Sequence, residues 1–482
     1  MFWVLFGIIL GCFLGGFLRL IKRLRYWKER GVPYIEANSN FTKNPVTSFV
    51  ADYVELKKRA GKFPFIGIYD YTVPMAMITD LDFAKKVLVK DFAYFKDRVD
   101  YTNVKEDPLS GLLIFKIGEE WRICRRKFGT IFTLKNLKMF HTSMVDAAME
   151  FHKHMVGQMD GDVNASDLVH RQTVEICGRI SFGTIFASIR NQEEFRSLLD
   201  EIKKVTYNIL IFFFVATWFP TLCRLFKIKV ANATHAKLFT KHMEKSLQQV
   251  AENVSQEVTM AGLFVKNQKS GDLTFNDTIG FFYSFYSGQF DVINKTLIHA
   301  MYELGLNQEI QNRARKEIAE TLNKFDGEWS FDACMEMNYI DQIIYETLRK
   351  YPILFILTRI CRQDYAVEGT SFTIEKGTRI VIPVYKIHHD PDIYPDPEKF
   401  IPERFTKDAI EGRHSCAWLP FGDGLKVCIG KRFAIMQIRN QLMSFISTYR
   451  FCISPKMKEP LQFDDFGSDL PTNTMWLTFE RI

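Results

Sequence analysis

Phe421-Gly-Asp-Gly-Leu-Lys-Val-Cys-Ile-Gly430 is the stretch on which the reading of this chain turns. A cysteine taken alone is most often a small buried hydrophobe. Cys428 is framed differently: it follows Gly422 and Gly424, precedes Gly430 and leads into an apolar helical run over 433–446. Glycines let a backbone bend tightly and approach a flat ligand. The start of a helix brings peptide N–H groups and a positive dipole end to the sulfur, which favours thiolate over thiol. A cysteine held this way suits ligation of haem iron, where electron donation from the thiolate favours O–O cleavage.

Three further patterns stand around this loop. Trp121-Arg-Ile-Cys-Arg125 reads W-x-x-x-R, Glu346-Thr-Leu-Arg349 reads E-x-x-R, and Pro402-Glu-Arg-Phe405 precedes the cysteine loop. Each is weak alone, since E-x-x-R is usually an exposed helical ion pair. Together and in this order they resemble the cytochrome P450 haem-thiolate monooxygenases, specifically the microsomal clan containing insect and vertebrate detoxifying enzymes. The resemblance runs from Trp27-Lys-Glu-Arg-Gly-Val-Pro33 to the C-terminus.

The resemblance implies haem b, with Cys428 as the metal ligand and Phe421 and Gly430 as cofactor-binding ends of the loop. Trp121, Arg125, Arg359 and Lys426 would clamp the two propionates. Position 426 usually carries arginine, and lysine keeps the charge but loses the bidentate fork, so slightly weaker haem retention is expected. Glu346 and Arg349 would lock with Arg404 to hold the cysteine loop. A long helix over the haem should run from about Asn276 to Leu306, ~45 Å. The oxygen-activation motif falls on Gly288-Gln-Phe-Asp-Val292. Gly288 and Asp291 match it; Gln289 replaces glycine, and Val292 replaces the threonine whose hydroxyl assists proton delivery. Substrate contacts are expected in 107–115, 208–219, 281–291, 353–358 and 466–470, which are rich in apolar residues.

Composition agrees with a large globular protein. Of 482 residues, 47% are hydrophobic and 25% charged, which excludes a disordered chain and a polytopic membrane protein. The net charge of +7 is too mild over this length to argue for nucleic acid. Nine cysteines, never at C-x-x-C spacing, suggest neither a zinc site nor a disulfide framework and point to a reducing compartment. Residues 1–18 carry no charge and are followed by Arg19, Lys22, Arg23, Arg25, Lys28 and Arg30. This predicts a single-pass anchor over 1–21, a basic, proline-ended linker over 22–33 and a haem-thiolate catalytic domain over 34–482, facing the cytosol. From 109 to 351 there is one proline, Pro220, and from 352 to 402 there are six. A mostly α fold follows, with a small β portion contributed by both ends: a hairpin from Phe65–Tyr69 and Pro74–Thr79, and a late strand at Trp476–Phe479. The eleven uncharged residues 209–219 are either a buried helix or a surface that dips into the membrane.

The activity implied is O2- and NADPH-dependent oxidation of a lipophilic xenobiotic, lipid or hormone. Electrons would come from NADPH–cytochrome P450 reductase, with cytochrome b5 as a second donor, at the endoplasmic reticulum membrane. Arg122, Arg126, Lys127, Lys431 and Arg432 form the expected docking face for an acidic flavoprotein. Two alternatives remain open: an O2-independent haem-thiolate isomerase or dehydratase of peroxides, motivated by Val292, and a non-catalytic haem-binding protein.

Overall fold

The computed structural model describes residues 14, 21–35, 53–70, 73–104, 106–155, 160–183, 192–252, 259–269, 273–457 and 474–482. Strands β1 (Phe65–Asp70) and β2 (Val73–Ile78) pair antiparallel with Phe65 opposite Ile78, the expected hairpin. Asp80 then caps a short helix, Leu81–Lys85, by accepting from the Phe83 N–H at 2.7 Å. Gly67 is required where the hairpin meets the N-terminal segment. A Cβ there would lie 2.5 Å from the Trp27 ring, whose Nε1 donates to the Ile68 carbonyl at 3.1 Å. Trp27 and Val32 are consequently buried, at 0% and 3% exposure. The segment 22–33, expected as a linker, is therefore partly built into the fold. Of its basic residues Lys28 lies within the helical turn Tyr26–Glu29, Arg25 and Arg30 flank that turn, and Trp27 is its buried side chain. The anchor expected over 1–21 lies, apart from Leu14 and Ile21, outside the described residues; among those described, no single helix is long and apolar enough to cross a membrane.

The proline-poor stretch is helix after helix. The elements used below are α1 (Gly118–Gly129), α2 (Leu134–Met155), a short strand β3 (Gly161–Asn164), α3 (Ala165–Phe182) and α4 (Gln192–Trp218). They continue with α5 (Pro220–Phe226), α6 (Phe275–Leu306) and α7 (Asn338–Lys350). Pro220 occupies the first position of α5, where its missing N–H costs nothing, and the chain turns by 110° there. The proline-dense stretch that follows holds short strands, β4 (Leu357–Ile360) and β5 (Arg379–Ile382). Helix α8 (Lys431–Thr448) and strands β6 (Tyr449–Ile453) and β7 (Trp476–Arg481) complete the fold. One sheet has the order β1-β2-β5-β4, parallel only between β2 and β5, and a second has β3-β7-β6.

Helix α6 is the axis of the molecule. Thr274 and Asp277 form a capping box at its start, and its 32 residues pack against α3, α4, α7 and α8. Ile293, Leu297 and Met301 enter one apolar cluster with α7 and α8. Phe281, Phe282 and Phe285 enter another with Phe128 of α1 and Phe212 of α4, which accounts for much of the phenylalanine.

Candidate active site

The cysteine loop folds through backbone requirements that its sequence announces. Gly422 and Gly424 take φ of +69° and +70°, and a Cβ on Gly424 would fall 2.0 Å from the Leu88 carbonyl oxygen. Asp423 caps the Gly424 N–H at 2.7 Å, and the Cys428 N–H reaches back to the Phe421 carbonyl at 2.9 Å. Helix α8 starts three residues later, at Lys431. Cys428 is exposed, whereas Cys124, Cys177, Cys223, Cys334, Cys361 and Cys416 are buried; Cys452, also exposed, lies on β6 with no glycine frame. Desolvation nonetheless pushes the Cys428 thiol up, against the downward pull of the Gly430 N–H, Arg125, Arg98 and Lys431. Cys428 is thus exposed as a residue while its thiol is closely surrounded by protein. The Gly430 N–H at the helix start favours thiolate, as expected, but desolvation opposes it. In the protein by itself burial outweighs the helix-start N–H and the cations, and a metal cation held by this sulfur would favour the thiolate.

Four cations converge beside this cysteine. Arg98, between the hairpin and α1, donates from Nη2 to the Lys426 carbonyl at 2.7 Å. Lys426 Nζ stands 4.6 Å over the Trp121 ring and 4.0 Å from Asp97 Oδ1. Arg359, from β4, is 1% exposed and donates from Nη1 to the Thr358 carbonyl at 2.8 Å, while its Nε has no partner. Arg125 lies one turn beyond Trp121 on α1 and is close enough to act electrostatically on both Arg98 and Cys428. Burial and mutual repulsion depress the set: Arg98 to about 10, Lys426 to about 7, Arg359 well below its ordinary value, with Arg125 lowered by burial. The carboxylate nearest Lys426, Asp97, is already committed to Arg362 at 2.7 Å. Packing buried cations this way is costly unless an anion completes the site. The orphaned Arg359 Nε and Lys426 Nζ, with three guanidinium forks, fit the two carboxylates of a haem beside its sulfur ligand.

Behind the loop, Glu346 and Arg349 of α7 are both fully buried and joined at 2.7 and 2.9 Å. Glu346 also accepts from the Ile401 N–H at 2.9 Å, and Arg404 Nε stands 3.4 Å from the same oxygen. Arg349 donates to the carbonyls of His388 and Pro397 at 2.9 and 2.8 Å. His388 continues the connection: its Nε2 accepts from the Leu419 N–H at 2.8 Å, two residues before Phe421. Burial holds His388 well below the ordinary histidine value, so the ring stays neutral and keeps that acceptor.

Helix α6 supplies the remaining wall. Its buried course is interrupted by a strip at helical spacing, Ser284, Gly288, Asp291, Val292 and Lys295, that is half-buried or exposed. A Cβ on Gly288 would meet nothing within 4 Å, so this strip faces open space. Val292 presents no hydroxyl, and the Thr296 hydroxyl is spent on the Val292 carbonyl at 2.8 Å.

The expected substrate segments are only partly free to contact a ligand. Asp107 is buried and accepts from the Leu109 and Val230 N–H groups, and Phe115 packs on Phe212 at 5.0 Å. The segment 466–470 lies outside the described residues. On the basic face, Arg122, Arg126 and Arg432 are exposed, whereas Lys431 lies over the Trp418 and Phe421 rings at 5.4 and 5.8 Å. Reasoning from sequence did not single out Arg98 or His388. The first stands in Phe95-Lys-Asp-Arg98 and the second in His388-His-Asp-Pro391, neither of which carries a periodic or spacing signal.

The family model described as cytochrome P450 matches residues 41–479. The chain is 34% identical to the probable cytochrome P450 6a23 of Drosophila melanogaster, covering 92% of each chain. It is 32% identical to cytochrome P450 6A1 of Musca domestica, over 95% of this chain and 94% of that one. It is also 34% identical to cytochrome P450 6a8 of Drosophila melanogaster, with 92% of each covered.

Proposed function

This chain belongs to the cytochrome P450 family of monooxygenases, and on that premise we propose that it oxidises lipophilic small molecules with O2 and NADPH, receiving electrons from a flavoprotein reductase at the cytosolic face of the endoplasmic reticulum. The observation that carries the reading is an exposed cysteine beside four cations short of counter-charge.

Haem, bound through Cys428, supplies the oxygen-activating chemistry. The rest is work for the polypeptide. Arg98, Arg125, Arg359 and Lys426 orient the cofactor by its propionates. The Glu346–Arg349–Arg404 lock and His388 hold the loop so that the sulfur keeps one position. Gly288 leaves room on the distal wall, and Asp291 on the same strip is the carboxylate placed to move a proton toward that room. Val292 moves none, so delivery passes through Asp291, ordered water or a substrate hydroxyl. The apolar walls around Phe115, Phe212 and Phe281 exclude water and suit a greasy substrate.

Entry from a membrane is supported by an exposed apolar surface on α4 and α5. Leu210, Ile211, Phe214, Phe219, Leu225 and Phe226 are 44–72% exposed, and Arg224, Lys227 and Lys229, also exposed, follow in the same stretch and suit anionic headgroups. Reconstitution with a reductase and a lipophilic compound panel tests the reading. NADPH consumption with oxygenated product is expected. Val292 keeps a second reading in view, the isomerase or dehydratase of peroxides; turnover of peroxides without NADPH or O2 would establish that one instead.

A further inference from the structure

Gln289 stands where the related oxygen-activation motif has glycine, and nothing in the proposed mechanism uses it. Its side chain does not join the open strip. One position round the helix from Gly288, it is 5% exposed, and its Nε2 donates to Gln437 Oε1 of α8 at 2.5 Å. Gln437 donates in turn to Gln441 at 3.2 Å, and Gln441 to Gln172 of α3 at 3.2 Å and to Thr173 at 3.0 Å. Gln172, Gln437 and Gln441 are all 0% exposed. The row ends on Ser444 and His152, with Gln172 Nε2 3.1 Å from the Ser444 hydroxyl.

A hydrocarbon would fill this space without desolvating four amides, and Gln289 Oε1 is left without a partner. What the amides add is directional registry between helices. The junction is specific: α6 carries the distal strip, and Gln437 lies nine residues after Cys428 on the helix that leaves the cysteine loop. Amides are poor proton carriers, so the row positions and does not conduct.

We propose that Gln289 is a positioning residue whose bond to Gln437 ties the oxygen-handling turn of α6 to the ligand-bearing helix, making the two walls of the haem slot move as one body. Its consequence for oxygen chemistry rests on the proposed monooxygenase reading; the tether itself does not. The test uses the full-length holoenzyme with Gln289→Met, Gln437→Met and the double variant, substitutions that roughly keep volume. Hydrogen exchange of the amides at 288–292 should quicken about tenfold in either single variant, the factor corresponding to ~1.4 kcal/mol, within the range for a buried hydrogen bond. The double variant should be no faster than the singles. The stretching frequency of carbon monoxide on the reduced protein should shift in the same direction in both singles, with the thiolate-type Soret band kept. Unchanged exchange in Gln437→Met, or effects that add in the double variant, overturns the proposal. If Gln437→Met does not accumulate, Gln437→Asn, too short to reach, takes its place with the same two outcomes. A wild-type chain lacking the thiolate-type spectrum defeats the functional reading, while exchange still decides the tether.

Discussion

Glu346→Gln removes one charge from the most deeply buried ion pair behind the cysteine loop. Both partners are fully buried. Glu346 receives two hydrogen bonds from Arg349, at 2.7 and 2.9 Å, and one from the Ile401 N–H at 2.9 Å, with Arg404 at 3.4 Å. Glutamine offers a single oxygen for these donors and turns an NH2 group against the others, leaving Arg349 as an uncompensated buried cation. Breaking a buried pair from one side costs about 3–5 kcal/mol, against a total stability of about 5–15 kcal/mol. The loss should propagate through Arg349 and His388 to Leu419, so the loop should loosen before the molecule unfolds. Urea unfolding followed by circular dichroism, with haem per protein and the carbon monoxide spectrum of the same sample, measures both effects. The expected result is a destabilisation of ~3–5 kcal/mol with haem content reduced several-fold. Wild-type haem content together with a change under ~1 kcal/mol would refute the reasoning, because the pair would then be behaving like a surface salt bridge.

Cys428→Ser should abolish the thiolate-type carbon monoxide spectrum, and Cys416→Ser and Cys452→Ser should leave it intact; any other pattern removes Cys428 as the ligand. Arg126→Glu with Arg432→Glu should raise the apparent reductase KM, more at low salt than at high, because both side chains are exposed. An unaltered salt dependence would place docking elsewhere. Val292→Thr should lower hydrogen peroxide release and raise product per NADPH, and a change of ~1.4 kcal/mol between the competing barriers alters their ratio tenfold. A constant ratio in an NADPH-driven enzyme would mean that proton delivery does not need that hydroxyl. Acid should destabilise the fold through its buried histidines. Burial lowers His141, His152 and His299 from 6.5 to about 4, and His388 well below 6.5. The unfolded chain therefore binds more protons than the folded one below pH 6.5, so stability is present above that value and lost as pH falls toward 4. Proton uptake on unfolding at pH 5, from the slope of stability with pH, should exceed two, and His152→Gln should reduce it; an uptake near zero would show these rings already charged in the fold.

Local chemistry in the sequence settled much of this protein. The glycine frame of Cys428 encodes its own geometry, since φ near +70° at 422 and 424 and the approach of Leu88 to Gly424 admit no side chain. The three-residue spacing of Glu346 and Arg349 dictates one helical face, and the Thr274–Asp277 box starts α6 within a residue of where it was read. Proline usage separated helices from strands for the same reason: the signal lies in each residue's own backbone. What remained for the tertiary structure was every property set by neighbours distant in the chain. Basic character suggested a linker at 22–33, but Gly67 and Phe65 supply the pocket that buries Trp27. Lys426 is legible as a cation of the cysteine loop, but its crowding by Arg98, Arg359 and Trp121, and the burial that lowers it to about 7, are not. His388 and Gln289 acquire roles only through partners 31 and 148 residues away. Conformational preference travels with a residue, whereas desolvation and hydrogen-bond partnership exist only once the chain has closed around it.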